Sequence, residues 1–189
     1  MIFKAIFLLI LTALLVSCAD VPVKSTTPFQ LSGRDHLYGK AWWSFEGRMV
    51  VSDESDSFSA TIVWKHRDHQ DKLELAGPFG QGRTLIELTN DGVIIDYGDE
   101  RLQYFGNADE LVSRQVGVDI PVSALKYWVL GLVDPGTEYG VVENGFVQSG
   151  WNVNYMQMQE VDQYDMPRKI RVERDDVKLK LIINHWGLP

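Results

Sequence analysis

The sequence has little of several features that mark familiar protein classes. It contains a single cysteine among 189 residues, so no internal disulfide can form and the fold must be held by its core. Acidic residues outnumber basic ones by 26 to 18, which gives a net charge of −8. A nucleic-acid partner is therefore not expected, because phosphates need a basic surface. The charge also gives no general attraction to anionic lipid surfaces.

Motifs for catalysis and metal binding are missing or incomplete. The sequence has no Gly-x-Ser-x-Gly turn for a hydrolase nucleophile. Residues 77–84 have glycines spaced as in a phosphate loop, but Arg83 takes the lysine position and a predicted strand follows instead of a helix. His66 and His69 could form a metal pair, yet they fall in a predicted turn without a third ligand at a suitable spacing. We therefore expect no enzyme activity, metal or cofactor.

The longest apolar run lies near the start of the chain, over residues 5–16, behind Lys4. It is too short for a comfortable membrane span, which needs about 20 apolar residues. A charged start, an apolar run and small residues at its end are typical of a secretory signal peptide. Residues 15–18, Leu-Val-Ser-Cys, resemble the bacterial lipobox, whose cysteine takes a diacylglycerol. We expect a lipoprotein signal peptide over residues 1–17 and lipid on Cys18; the alternative is an incidental cysteine.

Residues 18–31 are expected to form a lipidated, flexible tether, because they contain two prolines and several small polar residues. In Gram-negative lipoproteins an aspartate directly after the cysteine is a signal for the inner membrane. Here Ala19 follows Cys18 and Asp20 comes one place later, which favours the outer membrane. A single domain is expected over residues 32–189, with a short helical stretch over 33–40.

From residue 41 onwards, apolar and polar residues mostly alternate, as in half-buried β-strands. Many short strands spaced by 8–12 residues predict an antiparallel β-barrel or sandwich. Helices are predicted over 108–117 and 121–130, the second with Pro121 at its start and Gly131 just past its end. Their apolar stripe is expected to cover the open side of a curved sheet. Strands are predicted after them over 139–142, 145–148, 151–157, 169–173 and 177–186.

The connection between two of these strands carries a large apolar residue. Pro78, Phe79 and Gly80 lie between the strand with Leu73 and Leu75 and the next strand, where hairpin tips are usually polar. Phe79 could fold back onto the core as a staple, or it could be an exposed tip that enters a membrane or a lipid. Insertion of the ring would gain roughly 1.5–3 kcal/mol, which is enough for transient contact and too little for anchoring.

Several segments, in their order and spacing, resemble the LolB family of outer-membrane lipoproteins. Beside the lipobox ending at Cys18, they are residues 46–48, 75–81, 121–131, 150–155, 166–167 and 178–186. The resemblance implies an incomplete antiparallel β-barrel with short helices as a lid over a hydrophobic cavity. It implies a monomeric receptor on the periplasmic side of the outer membrane, which accepts lipoproteins from the soluble carrier LolA and inserts them into that membrane. The family's insertion loop carries a leucine where this chain has Phe79.

Acyl chains of the lipoprotein cargo would occupy the concave face of such a half-barrel. By alternation, the residues expected to line the cavity are Trp43, Phe45, Met49, Phe58, Ile62, Trp64, Leu73, Leu75, Ile86 and Leu88, with Leu125 and Trp128 from the lid. The same residues would equally fill a sealed core. The alternative function is therefore a lipid-anchored structural or interaction module with a fully packed β core. An envelope hydrolase is the third and least favoured hypothesis.

Overall fold

The structure is a computed structural model that describes residues 28–80 and 82–189, without the side chains of Phe79, Gln115 and Val116. The expected signal peptide, Cys18 and most of the expected tether lie outside the described residues. Phe29, near the end of the expected tether, is buried and stacks on Tyr155 with 3.9 Å between ring centroids. The packed domain therefore begins before residue 32.

Within the described part of the chain, eleven strands form one antiparallel sheet. Its spatial order is β6-β5-β4-β3-β2-β1-β11-β10-β9-β8-β7. Neighbours in the sequence are mostly neighbours in the sheet, and the long-range pairing of β1 with β11 joins its two halves. The strands are β1 (Trp42–Ser52), β2 (Ser57–Arg67), β3 (Gln70–Ala76), β4 (Thr84–Thr89), β5 (Gly92–Asp96), β6 (Arg101–Phe105), β7 (Tyr139–Val142), β8 (Gly145–Gln148), β9 (Trp151–Val161), β10 (Tyr164–Arg174) and β11 (Val177–Gly187).

The sheet is an incomplete barrel, as predicted, because β6 and β7 stand at its two ends and are not paired with each other among the described residues. Two α-helices of the described chain, α1 (Ala108–Val116) and α2 (Val122–Trp128), connect these two edge strands. A chain that leaves the sheet at one edge and returns at the other must cross the open side. The helices are therefore placed to cover the concave face.

Alternation along the strands gives the sheet one buried face and one exposed face. On β1, Trp43, Phe45 and Met49 are buried, while the intervening Glu46 and Arg48 are exposed. A bulge between Glu46 and Gly47 shifts the register against β11. A Cβ atom on Gly47 would lie 2.3 Å from the carbonyl oxygen of Ile182, so the close approach of the two strands requires glycine.

Most of the predicted elements are confirmed, including both helices and the strands β7 and β8 at their predicted bounds. Two local predictions were wrong. The helical stretch predicted over 33–40 is only a 3₁₀ turn, Asp35–Leu37. The turn predicted to hold His66 and His69 is shorter, because His66 lies within β2 and Asp71 lies within β3. The cross-strand pairing of these two residues extends the hairpin beyond the prediction.

Candidate functional site: an apolar interior under a helical lid

The concave face of the sheet is lined by large apolar side chains that form one buried cluster. Eleven of the twelve residues predicted to line a cavity are buried in it: Trp43, Phe45, Met49, Ile62, Trp64, Leu73, Leu75, Ile86, Leu88, Leu125 and Trp128. Aromatic rings are packed at its centre, with 5.6 Å between the centroids of Trp43 and Trp64 and 6.0 Å between those of Phe45 and Trp64. The predicted residues are thus brought together on one surface beneath the helices.

Phe58 is the exception. It pairs directly with Val51, which is buried, so both side chains lie on the concave side of the sheet. However, Phe58 is 43% exposed, because it is the second residue of β2, beside the polar loop between β1 and β2. The alternation of apolar and polar residues correctly predicted which face of the sheet carries Phe58, but not how deeply it is buried. Phe58 lies at the rim of the concave face instead of within the cluster.

The two helices are joined to each other at their N-terminal turns. The side chain of Asn107 caps α1 by accepting hydrogen bonds from the backbone N–H groups of Asp109 and Glu110 at 2.8 and 3.2 Å. The carboxylate of Asp109 in turn accepts from the backbone N–H of Ser123 at 2.9 Å and from its hydroxyl at 2.6 Å. The first turn of α1 therefore caps the first turn of α2, and the helices form one lid.

The lid contributes its own apolar face to the interior. Leu111 and Val112 of α1 and Leu125 of α2 are buried, as is Ile120 in the connection between the helices. They belong to the same cluster as the side chains of the sheet. Burial of this stripe stabilises the closed lid, since two helices of nine and seven residues are too short to be stable alone.

The C-terminal end of α2 is held by a buried polar network around Gln148. The side-chain oxygen of Gln148 accepts from the indole N–H of Trp128 at 2.9 Å and from the backbone N–H of Asp134 at 2.8 Å. Its amide nitrogen donates to the carbonyl oxygens of Asp134 at 2.8 Å and Thr137 at 2.9 Å. All four hydrogen-bonding positions of the amide are thus used, and Trp128 is fixed to β8.

Two further buried side chains hold the backbone at this end. The hydroxyl of Tyr155 donates to the carbonyl oxygen of Trp128 at 2.7 Å, and burial raises the pKa of Tyr155 above its ordinary value. The guanidinium of Arg34 donates to the carbonyl oxygen of Leu130 at 2.6 Å and of Asp165 at 2.9 Å. Burial lowers the pKa of Arg34. The carbonyls at the end of α2 therefore have side-chain donors.

The connection between α1 and α2 is held differently. Asp119 in this connection forms an ion pair with Arg174 at the end of β10. The guanidinium of Arg174 also lies over the ring of Trp151, 4.4 Å from its centroid, and the hydroxyl of Ser113 donates to Asp119 at 3.3 Å. Asp119 is exposed and Arg174 is partly exposed, so this restraint is weak. The lid is therefore anchored firmly at the C-terminal end of α2 and only lightly at the connection between α1 and α2.

Sequence reasoning missed Gln148, Tyr155 and Arg34 as structural residues. The sequence did contain a signal for Gln148. It lies two residues after Phe146 in β8, so both side chains face the same side of the sheet, where an apolar residue is expected. An uncharged polar residue at a core position predicts a buried hydrogen-bond network. Tyr155 and Arg34 gave no such signal, since their partners are backbone carbonyls distant in the sequence.

Of the two histidines considered as a metal pair, His66 packs against neighbouring side chains, whereas His69 is exposed in the turn between β2 and β3. Asp71 is buried and accepts hydrogen bonds from the indole N–H of Trp64 at 2.8 Å and from Nδ1 of His66 at 2.9 Å. The ring of His66 stacks on Trp43 with centroids 5.2 Å apart. Across the described residues, no group of three or more histidine, cysteine, aspartate or glutamate side chains could hold a metal ion.

The connection between β3 and β4 is the predicted membrane-insertion loop. Its backbone forms a 3₁₀ turn, Pro78–Gly80, with Gly80 at φ +77°. It lies at the same end of the sheet as the loop between β1 and β2. The side chain of Phe79 lies outside the described residues, so its exposure stays a prediction.

These features define a class of protein: an open antiparallel half-barrel with an apolar interior and a two-helix lid. A family model described as "Outer membrane lipoprotein LolB" matches residues 41–186. The chain belongs to the LolB family.

Known proteins similar to the chain agree with this assignment. Outer-membrane lipoprotein LolB of Marinomonas sp. (strain MWYL1) is 28% identical, with all of both chains covered. The protein of the same name from Chromohalobacter salexigens is 31% identical over 95% of this chain and 88% of its own length. A solved DUF1329 family protein from Desulfovibrio piger has a TM-score of 0.53 over 82% of this chain and 88% of that chain, at 7% identity. That last likeness concerns the fold alone.

Membership of the family gives the chain a role in lipoprotein localisation and places it in a family of transport proteins, not of enzymes. Among the residues that the structure describes, no helix is long and apolar enough to cross a membrane.

Proposed function

We propose that this protein accepts lipoproteins from the periplasmic carrier LolA and inserts them into the outer membrane. It would be anchored there by lipid on Cys18 and face the periplasm. The observation that carries the proposal is the concave apolar face, which is covered by two short helices instead of a second sheet. A removable cover over a continuous apolar surface is what a carrier of acyl chains needs.

The size of the hydrophobic effect explains why such a surface is required. Three acyl chains hold on the order of 40 methylenes, and at about 0.8 kcal/mol each their exposure to water would cost roughly 30 kcal/mol. Free diffusion of a lipoprotein through the periplasm is therefore negligible. The chains must pass from one apolar surface to the next, and the interior beneath α1 and α2 offers such a surface.

Access to the interior requires movement of the lid, because the predicted lining residues are buried beneath it. The restraints on the lid support opening at the connection between α1 and α2. There the ion pair of Asp119 with Arg174 is partly exposed. The C-terminal end of α2, in contrast, is fixed by the buried side chain of Gln148. We infer that the lid pivots about Trp128 while α1 swings away from β5.

The direction of lipoprotein transfer would come from differences in affinity for the acyl chains, since the sequence has no complete nucleotide-binding motif. The donor would hold the acyl chains less tightly than this protein, and the bilayer would hold them most tightly. Phe79, at the tip between β3 and β4, would enter the bilayer during release.

The test is a reconstituted transfer from cargo-loaded LolA through this protein into liposomes, using Phe79→Glu. We expect the variant to accept lipoprotein and to fail in its release to the membrane. The matched control is Phe105→Glu, because Phe105 is 74% exposed at the opposite end of the sheet. Unimpaired insertion by Phe79→Glu would remove Phe79 from the mechanism.

The alternative, a lipid-anchored module with a fully packed core, makes a different prediction. The unaltered protein would then take up neither a lipoprotein from the carrier nor a fluorescent fatty acid. Uptake of both, with displacement of the fatty acid by the lipoprotein, would favour the carrier function.

A further inference from the structure

The edge strand β7 is unusually exposed for its composition. It pairs with β8 on one side, and none of the described residues pairs with its other side. Tyr139 is 50% and Val141 is 69% exposed, and Val142 is also exposed. Exposed backbone groups beside apolar side chains favour the addition of another strand.

The side chains of β7 show that the interior face of the sheet is uncovered at this edge. Val141 pairs with Phe146, and Tyr139 pairs with Gln148. Both partners are buried in the interior, and directly paired residues project to the same face. Tyr139 and Val141 therefore point to the concave side and are nevertheless exposed there.

An open cleft runs along this side of β7, with a volume of about 550 Å³. Its apolar walls come from the segment before β1, from the connection after α2 and from β7 itself. The residues that form these walls are Phe29, Leu31, Leu132, Val133, Tyr139 and Val141. The cleft would receive the inward-pointing side chains of a strand added to β7.

Edge strands of natural proteins are commonly protected by lysine, proline or a bulge. β7 has the sequence Tyr-Gly-Val-Val and pairs with β8 without a register shift. The other edge strand, β6, begins with the exposed Arg101. Within its four residues β7 carries none of these devices, so its shortness is the only protection of this edge.

The charge of this edge indicates what could bind there. No lysine or arginine occurs between Lys126 and Arg168. The same stretch contains the acidic residues Asp134, Glu138, Glu143, Glu160, Asp162 and Asp165. Glu138 and Glu143 flank β7 directly and are exposed. The apolar strand is therefore bracketed by negative charge.

We propose that β7 is a docking edge for an extended segment of another protein, with alternating apolar residues flanked by lysine or arginine. The segment adds to the sheet as a further antiparallel or parallel strand, with its backbone paired to β7 and its inward side chains in the cleft. A second copy of this chain is disfavoured, because two β7 edges would bring glutamates together. An anionic membrane surface is disfavoured by the same charges.

The test uses the full chain and a synthetic peptide, Lys-Lys-Val-Thr-Val-Thr-Val-Lys-Lys, with its glutamate-flanked counterpart as the second probe. We expect saturable binding of the basic peptide, with new amide protection of residues 139–142 in hydrogen exchange. Val141→Lys should weaken binding roughly tenfold or more, and the double variant Glu138→Lys/Glu143→Lys should weaken it roughly tenfold. The matched control is Val147→Lys on the neighbouring strand, which should bind normally.

Three results would overturn the proposal. The glutamate-flanked peptide could bind as well as the basic one, or Val141→Lys could bind as tightly as the unaltered chain. Alternatively, sedimentation could show a dimer that Val141→Lys dissociates, which would assign the edge to a second copy. Lipoprotein transfer is measured in parallel, since loss of peptide binding with normal transfer separates this edge from the proposed function.

Discussion

Replacement of Gln148 by alanine should destabilise the protein strongly, because this single side chain makes four hydrogen bonds within the core. It is 1% exposed and links the indole of Trp128 with the backbone of Asp134 and Thr137. At about 1 kcal/mol net for each hydrogen bond, their loss costs about 4 kcal/mol. The indole N–H of Trp128 would also be left buried without an acceptor.

This loss is large when compared with the total stability of a domain of this kind, which is about 5–15 kcal/mol. The assay is urea unfolding followed by tryptophan fluorescence, with the midpoint and the slope fitted separately. A lower midpoint at an unchanged slope is the expected result. Gln103→Ala is the matched control, since Gln103 is exposed on β6 and its loss should change stability by less than about 0.5 kcal/mol.

Gln148→Glu separates hydrogen bonding from the loss of side-chain volume. The carboxylate keeps the size and both acceptor bonds, but it cannot donate to the carbonyl oxygens of Asp134 and Thr137. The Gln148→Glu variant should therefore be destabilised at least as much as the Gln148→Ala variant. If either variant lost less than about 1 kcal/mol, the network would not be the anchor of the lid that the geometry indicates.

Two further predictions concern the lid and its buried tyrosine. Arg174→Gln removes the ion pair with Asp119; it should change stability by less than about 1 kcal/mol yet speed the uptake of a fluorescent fatty acid in stopped-flow measurements. Arg171→Gln on the same strand is the control, and equal uptake rates would show that the ion pair does not restrain the lid. Tyr155→Phe should lose about 1 kcal/mol at neutral pH with its hydrogen bond. Since burial raises the folded-state pKa of Tyr155, its contribution is complete below the unfolded pKa near 10 and is lost as pH rises above it. Stability of the unaltered protein should therefore fall more steeply than that of Tyr155→Phe above about pH 10, and parallel curves would contradict this.

Alternation and turn chemistry were enough to predict nearly all the strands and both helices. These signals are local: the parity of Trp43, Phe45 and Met49 on β1 is set by the pleat, and Gly131, at φ +78°, ends the helical segment through its backbone. Asn90 and Asp91, followed by Gly92, are likewise typical of a hairpin turn, and they join β4 to β5 in the structure.

The position of a residue along the barrel axis could not be predicted in the same way. Phe58 and Trp64 share a parity, but Phe58 is at the rim and Trp64 is fully buried. Phe58 is the second residue of β2 and Trp64 is well inside it, and alternation gives the face of a side chain but not its depth. The same applies to Asp71, whose burial follows from Trp64 and His66 on the neighbouring strand and not from its charged sequence surroundings.

The closed lid limits how tightly the interior can hold acyl chains under the proposed function. Opening exposes the apolar side chains Leu111, Val112, Ile120 and Val122, all buried in the closed state. At about 1.5–3 kcal/mol for each side chain, exposure of these four would cost about 6–12 kcal/mol. Part of this is recovered when acyl chains take their place, and the remainder lowers the apparent affinity for cargo. A fluid bilayer accepts the same chains without opening a lid. The stability of the closed lid would therefore favour release to the membrane, and variants that weaken the lid should bind cargo more tightly while delivering it more slowly.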